Sequence, residues 1–320
     1  MKFEELKNKK ILITFHINSD IDAVASACIL QNILGNNITL SNYGRMDHDA
    51  KKLIEFYNKK IEKWENINLL EFEYLIAVDG QNYGMFPHLK NKKVDLLIDH
   101  HNSSTEKMQT KNDIIDPNAI STTEIIYSLI KKQNININSE TAELILCGII
   151  SDSLRYKEVS KNSFLYSEEL IKLIKNKYEK LIELSVPRLP KEECIGFINS
   201  AKTFKYAIEK EMIIITAKCP SYTGDIATVL SETVADVVFT TAPKEHNTLI
   251  KISGRTWVGS GVEITTILKK LEKKYNGTGG GHPYAAGMDF PATPETINKL
   301  QNKILHNCMQ LSIKEIKKNK

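Results

Sequence analysis

Val94-Asp95-Leu96-Leu97-Ile98-Asp99-His100-His101 is an apolar run that stops on a carboxylate followed by two imidazoles. A short run rich in Val, Leu and Ile predicts a buried strand, and Asp and His at its end place metal-binding side chains on a rigid support. Three further stretches repeat the arrangement. Lys10-Ile11-Leu12-Ile13-Thr14-Phe15 runs into His16-Ile17-Asn18-Ser19-Asp20-Ile21-Asp22, Tyr74-Leu75-Ile76-Ala77-Val78 ends on Asp79, and Leu144-Ile145-Leu146-Cys147-Gly148-Ile149-Ile150 is followed by Asp152.

From residue 10 to about 180 such runs alternate with helical patterns. The reading predicts strands at 10–16, 38–43, 74–79 and 94–99, and helices at 22–34, 47–58, 122–132 and 140–150. This alternation points to an α/β domain on a mostly parallel, doubly wound sheet, whose ligands belong at the carboxyl ends of the strands. Leu184-Ser185-Val186-Pro187-Arg188-Leu189-Pro190-Lys191 holds two of the nine prolines and reads as an interdomain connection. The expected division is a catalytic domain at 1–183, a linker at 184–196 and a smaller α+β domain at 197–320. In the latter, strands are expected at 201–207, 212–217, 235–242 and 247–253, helices at 224–233, 262–275 and about 294–314, and a loop at Gly277-Thr278-Gly279-Gly280-Gly281-His282-Pro283.

A chain of 320 residues, 42% hydrophobic and 26% charged, is a globular protein with room for two domains. Cys28, Cys147, Cys194, Cys219 and Cys308 are scattered and mostly in apolar context, which suggests buried thiols and neither a disulfide framework nor a zinc knuckle. The N-terminal Met-Lys-Phe-Glu-Glu-Leu-Lys has no apolar segment, and no apolar stretch approaches the ~18 residues of a membrane span. The expectation is a cytoplasmic protein with no membrane partner. A net charge of +4, mostly Lys along helices, describes a solvated surface and carries no claim of nucleic-acid affinity. Arginine occurs only at 45, 155, 188 and 255. Because Arg grips phosphate bidentately where Lys acts as a point charge, the places where arginines fall are informative.

His16, Asp20 and Asp22 alone are explained as well by a helix cap, a first-turn acid and a strand-end histidine. The recurrence of Asp and His in four segments favours metal binding, and carboxylates with imidazole suit Mn²⁺, Mg²⁺ or Fe²⁺ better than structural zinc. Two ions about 4 Å apart, bridged by a carboxylate, activate a water and hold phosphoryl oxygens during in-line displacement. In the second half, three successive glycines allow close backbone approach to a ligand, His282 can donate to phosphate, and Arg255 stands upstream at a strand end.

These motifs, with Gly279-Gly280-Gly281-His282-Pro283-Tyr284-Ala285-Ala286-Gly287, resemble the DHH phosphoesterase superfamily and its DHHA1 branch over nearly the whole chain. The resemblance implies two Mn²⁺ ions, with Mg²⁺ or Co²⁺ as substitutes in vitro. It assigns one ion to His16 and Asp20, the other to Asp22, His100 and Asp152, and makes Asp79 the bridge. Asp99 would orient a histidine and His101 would face the scissile phosphate. Arg255, Gly279, Gly280, Gly281 and His282 would contact substrate, with Arg155 and Arg45 as further candidates, and Trp257 and Tyr284 are placed to stack a base. Ser19, Ala25 and Gly80 depart from the residues usual in the family without removing a ligand. The two-domain length resembles the nano-RNase, 3'-phosphoadenosine 5'-phosphate phosphatase and di-AMP phosphodiesterase branch. The implied activity is hydrolysis of very short nucleotides, namely cyclic di-AMP, linear pApA, nanoRNA or the bisphosphonucleotide, and a homodimer is left open. The rivals are a RecJ-like 5'-to-3' single-strand exonuclease, a manganese pyrophosphatase sharing the metal module, and a non-catalytic nucleic-acid-binding replication scaffold.

Overall fold

The computed structural model describes residues 2–102, 107–185 and 191–318. The chain divides into two compact units, Met1–Arg188 and Leu189–Lys320. The break falls inside the expected linker, whose residues 186–190 lie outside the described residues.

The first unit comprises β1 (Ile11–Phe15), β2 (Asn18–Ser19), α1 (Ile21–Leu34), β3 (Ile38–Asn42), β4 (Arg45–Met46), α2 (His48–Phe56), β5 (Glu62–Lys63), β6 (Tyr74–Val78), β7 (Val94–Asp99), β8 (Thr110–Ile115), α3 (Thr122–Lys132), α4 (Ser139–Asp152), α5 (Ser163–Ile171) and α6 (Tyr178–Ser185). Its main sheet has the order β5-β3-β1-β6-β7-β8, parallel throughout, and β2 pairs with β4 beside it. Successive side chains of a strand point to opposite faces. Ile11, Ile13, Phe15, Ile76, Val78, Leu96 and Ile98 accordingly pack with α1, α3 and α4, while Leu12, Leu75, Ala77 and Leu97 pack with Phe86, Leu89 and Met108 on the other side. Both faces being covered, β1, β6 and β7 read as apolar runs interrupted only by Thr14 and Asp95 before β7 ends on Asp99. β8, Thr-Lys-Asn-Asp-Ile-Ile, went unexpected because an edge strand keeps polar, solvent-facing residues.

The second unit comprises α7 (Lys191–Ala201), β9 (Lys205–Glu209), β10 (Met212–Lys218), α8 (Thr223–Thr233), β11 (Val237–Lys244), β12 (Leu249–Thr256), α9 (Ile264–Tyr275), β13 (Thr278–His282), β14 (Ala285–Pro291) and α10 (Ile297–Lys318). The strand order is β13-β14-β12-β11-β10-β9, antiparallel except for β10 with β11. α9 and α10 cover one face and α8 the other. Two expectations change here. The strand expected at 201–207 starts only at Lys205 because α7 continues to Ala201. The glycine loop is instead the edge strand β13: glycine normally argues against a strand, yet a β-carbon on Gly279 would lie 2.3 Å from the Gly287 carbonyl oxygen, so only glycine permits this pairing. Among the described residues no helix is long and apolar enough to cross a membrane.

Candidate metal centre

The first sheet reverses its strand order at β1, with β3 and β5 on one side and β6, β7 and β8 on the other. His16 follows β1 and Asp79 follows β6, so both stand at the switch point where the carboxyl edge of such a sheet accepts ligands. Asp20 caps α1, accepting from the Ala23 N–H at 3.1 Å, and Asp22 lies in the first turn of the same helix. His100 leaves the end of β7. Asp152 is the last residue of α4, which occupies the helix expected at 140–150 and whose apolar run is buried all along its length.

These side chains converge. His16 Nε2 lies 3.3 Å from Asp79 Oδ2 and 3.9 Å from Asp20 Oδ1, while His100 Nε2 lies 3.4 Å from Asp152 Oδ2 and 3.7 Å from Asp79 Oδ1. Ligand atoms of His16, Asp20 and Asp79 fall within 4.8 Å of one another, as do those of Asp22, His100 and Asp152, and those of Asp79, His100 and His101. The two oxygens of Asp79 therefore face different groups. Asp99 Oδ1 takes the Nδ1 hydrogen of His101 at 2.7 Å, and Gln81 Nε2 donates to the His101 carbonyl at 2.7 Å. With its ring held by Asp99 and its backbone carbonyl by Gln81, His101 keeps a side chain 45% exposed.

The donor chemistry fits divalent manganese or magnesium. Among the described residues Asp20, Asp22, Asp79 and Asp152 pair with histidines, hydroxyls and backbone N–H groups, and form no ion pair with a lysine or arginine. Burial, then the charges of Asp79 and Asp20, push the Asp22 carboxyl well above the usual range, and burial with the charges of Asp22, Asp20 and Asp79 does the same to Asp152. Burial opposes charge on His16, but Asp20 and Asp79 outweigh it and raise the ring to about 10. Burial lowers His100, whereas the hydrogen bond to Asp99 raises His101 to about 9. Negative charge is thus concentrated beyond what two imidazoles balance, and hard cations are the ligands that relieve it.

In the second unit, Ala285 of β14 is opposed by Arg255 on one side and by His282 on the other. Directly opposed residues share a face of a sheet, so Arg255 and His282 stand in one row two strands apart. Thr228 of α8 accepts from Arg255 Nε at 3.1 Å, and the Gly254 carbonyl accepts from Nη1 at 2.9 Å. Gly279, Gly280, Gly281 and His282 are exposed along β13, and Trp257 and Tyr284 are exposed nearby in the chain. Arg45 and Arg155 are exposed. Arg155 sits in the left-handed turn Leu154-Arg155-Tyr156 that follows Asp152.

Gln81, Thr122, Thr123, Gly148 and Thr228 also hold these groups, and the sequence alone did not single them out. Ser121-Thr122-Thr123-Glu124 carries the pattern of a helix start, but nothing in it names the carboxylates that the helix receives.

The DHH family N-terminal domain model matches residues 10–149, and the DHHA1 domain model matches residues 206–310. The chain belongs to the DHH superfamily. As a DHH protein it is a metal-dependent hydrolase of phosphoesters. It is 26% identical to an uncharacterised protein of Methanocaldococcus jannaschii, over 99% of this chain and 98% of that one. To the bifunctional oligoribonuclease and PAP phosphatase NrnA of Bacillus subtilis it is 26% identical, over 88% of this chain and 89% of that protein. To the manganese-dependent inorganic pyrophosphatase of Bacillus subtilis it is 28% identical, over 47% of this chain and 50% of the pyrophosphatase.

Proposed function

We propose that this DHH protein is a two-manganese phosphodiesterase and phosphatase that hydrolyses very short nucleotides, such as cyclic di-AMP, linear pApA, nanoRNA or 3'-phosphoadenosine 5'-phosphate, to mononucleotides. The observation that carries the two-metal part is Asp79, whose Oδ2 lies toward His16 and whose Oδ1 lies toward His100. His16 and Asp20 would hold one ion, Asp22, His100 and Asp152 the other, and Asp79 both. Manganese bound there supplies Lewis acidity, polarising phosphoryl oxygens and lowering the pKa of water. His101, oriented by Asp99 through Nδ1, keeps Nε2 free to donate to the scissile phosphate and so stabilises the charge that develops there. Arg255 and His282 would hold a second part of the substrate, with Arg155 and Arg45 as further contacts and the Gly279–Gly281 backbone close to it.

The likeness to NrnA extends along both domains, whereas that to the pyrophosphatase covers less than half of the chain. This supports nucleotides over pyrophosphate as substrate. A turnover panel with Mn²⁺ tests the reading: cyclic di-AMP, pApA, a dinucleotide RNA, the bisphosphonucleotide, pyrophosphate and a twenty-nucleotide single strand, with products resolved by chromatography. Fastest turnover is expected among the first four. Preference for pyrophosphate or for the long strand would overturn it.

A further inference from the structure

Thr122, the first residue of α3, is fully buried and touches two carboxylates that reach it from different parts of the first unit. Its backbone N–H donates to Asp22 Oδ2 at 2.7 Å and the N–H of Thr123 donates to Asp22 Oδ1 at 3.0 Å. Its hydroxyl donates to Asp79 Oδ1 at 2.9 Å. The first N–H groups of a helix have no partner within the helix and carry partial positive charge. In α3 the cap residue Ser121 receives the Glu124 N–H at 3.1 Å, which leaves those of Thr122 and Thr123 for Asp22. Two backbone N–H groups thus orient the Asp22 carboxylate from one side.

α4 closes the arrangement. A β-carbon on Gly148 would lie 2.7 Å from Asp22 Oδ1 and 2.3 Å from Thr123 Oγ1, so the helix that ends on Asp152 packs directly against this junction. Asp22 from α1, Asp79 from β6 and the helix of Asp152 are all set against the start of α3.

We propose that Thr122 is a positioning residue of the metal centre: its hydroxyl fixes the carboxylate plane of Asp79, so that the two oxygens present themselves to different ions, and its N–H ties that plane to Asp22. This rests on the two-manganese reading above. Outer partners that orient metal ligands commonly change affinity by about 10- to 100-fold when removed, which sets the size of effect to look for.

The test uses the full chain with Thr122→Val, which removes the hydroxyl while keeping shape and backbone N–H, and Thr122→Ser, which restores the hydroxyl. Manganese binding is followed by calorimetric titration, and coupling between the two ions by electron paramagnetic resonance of the loaded protein. The wild type is expected to bind two ions. Thr122→Val should weaken at least one site about 10- to 100-fold and alter the coupled spectrum, with the metal-free melting temperature little changed, and Thr122→Ser should recover both. Wild-type affinities and spectrum in Thr122→Val would overturn the proposal, as would a Thr122→Ser variant as impaired as the valine one. If the valine variant does not fold, Thr122→Ala is read against the same criteria. A wild type that binds fewer than two ions defeats the underlying two-metal reading, a result obtained before any substitution is made.

Discussion

The His16–Asp79–His100 cluster and the Arg255–His282 row are built in opposite ways. Asp22, Asp79 and Asp99 are almost completely buried, and hydrogen bonds from Thr122, Thr123 and His101 fix their orientations. Gly280, Gly281 and His282 lie exposed on an edge strand, and Arg255 is only half-buried, held at Nε and Nη1. Burial concentrates charge and makes small displacements costly, which suits groups that must hold cations in one geometry. An exposed edge with free backbone donors and one anchored guanidinium tolerates variation in what it contacts. On the proposed function, the first arrangement would determine the chemistry and the second what is held for it.

The sharpest way to break this contrast is Asp79→Asn. Losing the charge that both ligand groups share should weaken both ion sites and lower kcat by at least ~100-fold, the scale seen when a main electrostatic stabiliser is removed. Metal content by elemental analysis should fall below two per chain. Near-normal turnover with two ions retained would mean that Asp79 is not the shared ligand.

A smaller and different loss is expected on the other side. Arg255→Ala should reduce kcat/KM by about 10- to 150-fold, the equivalent of about 1.5 to 3 kcal/mol for a charge-assisted hydrogen bond, while manganese stays at two per chain. His282→Ala should behave alike with a smaller loss, because its side chain is exposed. Loss of manganese from either variant would erase the division of labour between the two regions.

How well each region could be read from sequence follows from the same contrast. The residues of the cluster sit at the ends of apolar runs, and a run such as Val94–Ile98 that is buried on both faces can be recognised locally. Asp152 closes the one run of the four that is a helix, and the helix expected at 140–150 is α4. The supports were invisible for a physical reason: Thr122 meets Asp22 across 100 residues of chain, and Gly148 is required because Thr123 and Asp22 both pack against it. In the second unit the glycines were legible as a point of close approach, but what they approach is the β14 backbone, so a loop was expected where a strand pairs. The Arg255–His282 row depends on the register of three antiparallel strands, which no local pattern specifies.

Salt and strand length should separate the short-nucleotide reading from that of an exonuclease. On the proposed function, with the metal cluster, Arg255 and His282 as its charged contacts, the substrate would have about two phosphates engaged. For single strands the logarithm of affinity falls with the logarithm of salt by about 0.7 per neutralised phosphate, so the expected slope is only about −1.4. Following a long strand requires an extended basic groove with stacked aromatics. Trp257 and Tyr284, the aromatics that the sequence reading placed to stack a base, are exposed in the second unit, as are Tyr206 and Tyr222. kcat/KM measured on strands of two to about ten nucleotides should therefore decline with length, since each added nucleotide adds conformational freedom to be lost without a matching contact. Because this decline is gradual, it is the smallest of the expected effects, and the slope must be measured together with it. Processive degradation of a strand of about twenty nucleotides with a salt slope steeper than about −4, the signature of six or more phosphates gripped at once, would place the chain with the exonucleases and assign the exposed row of the second unit to tracking a backbone.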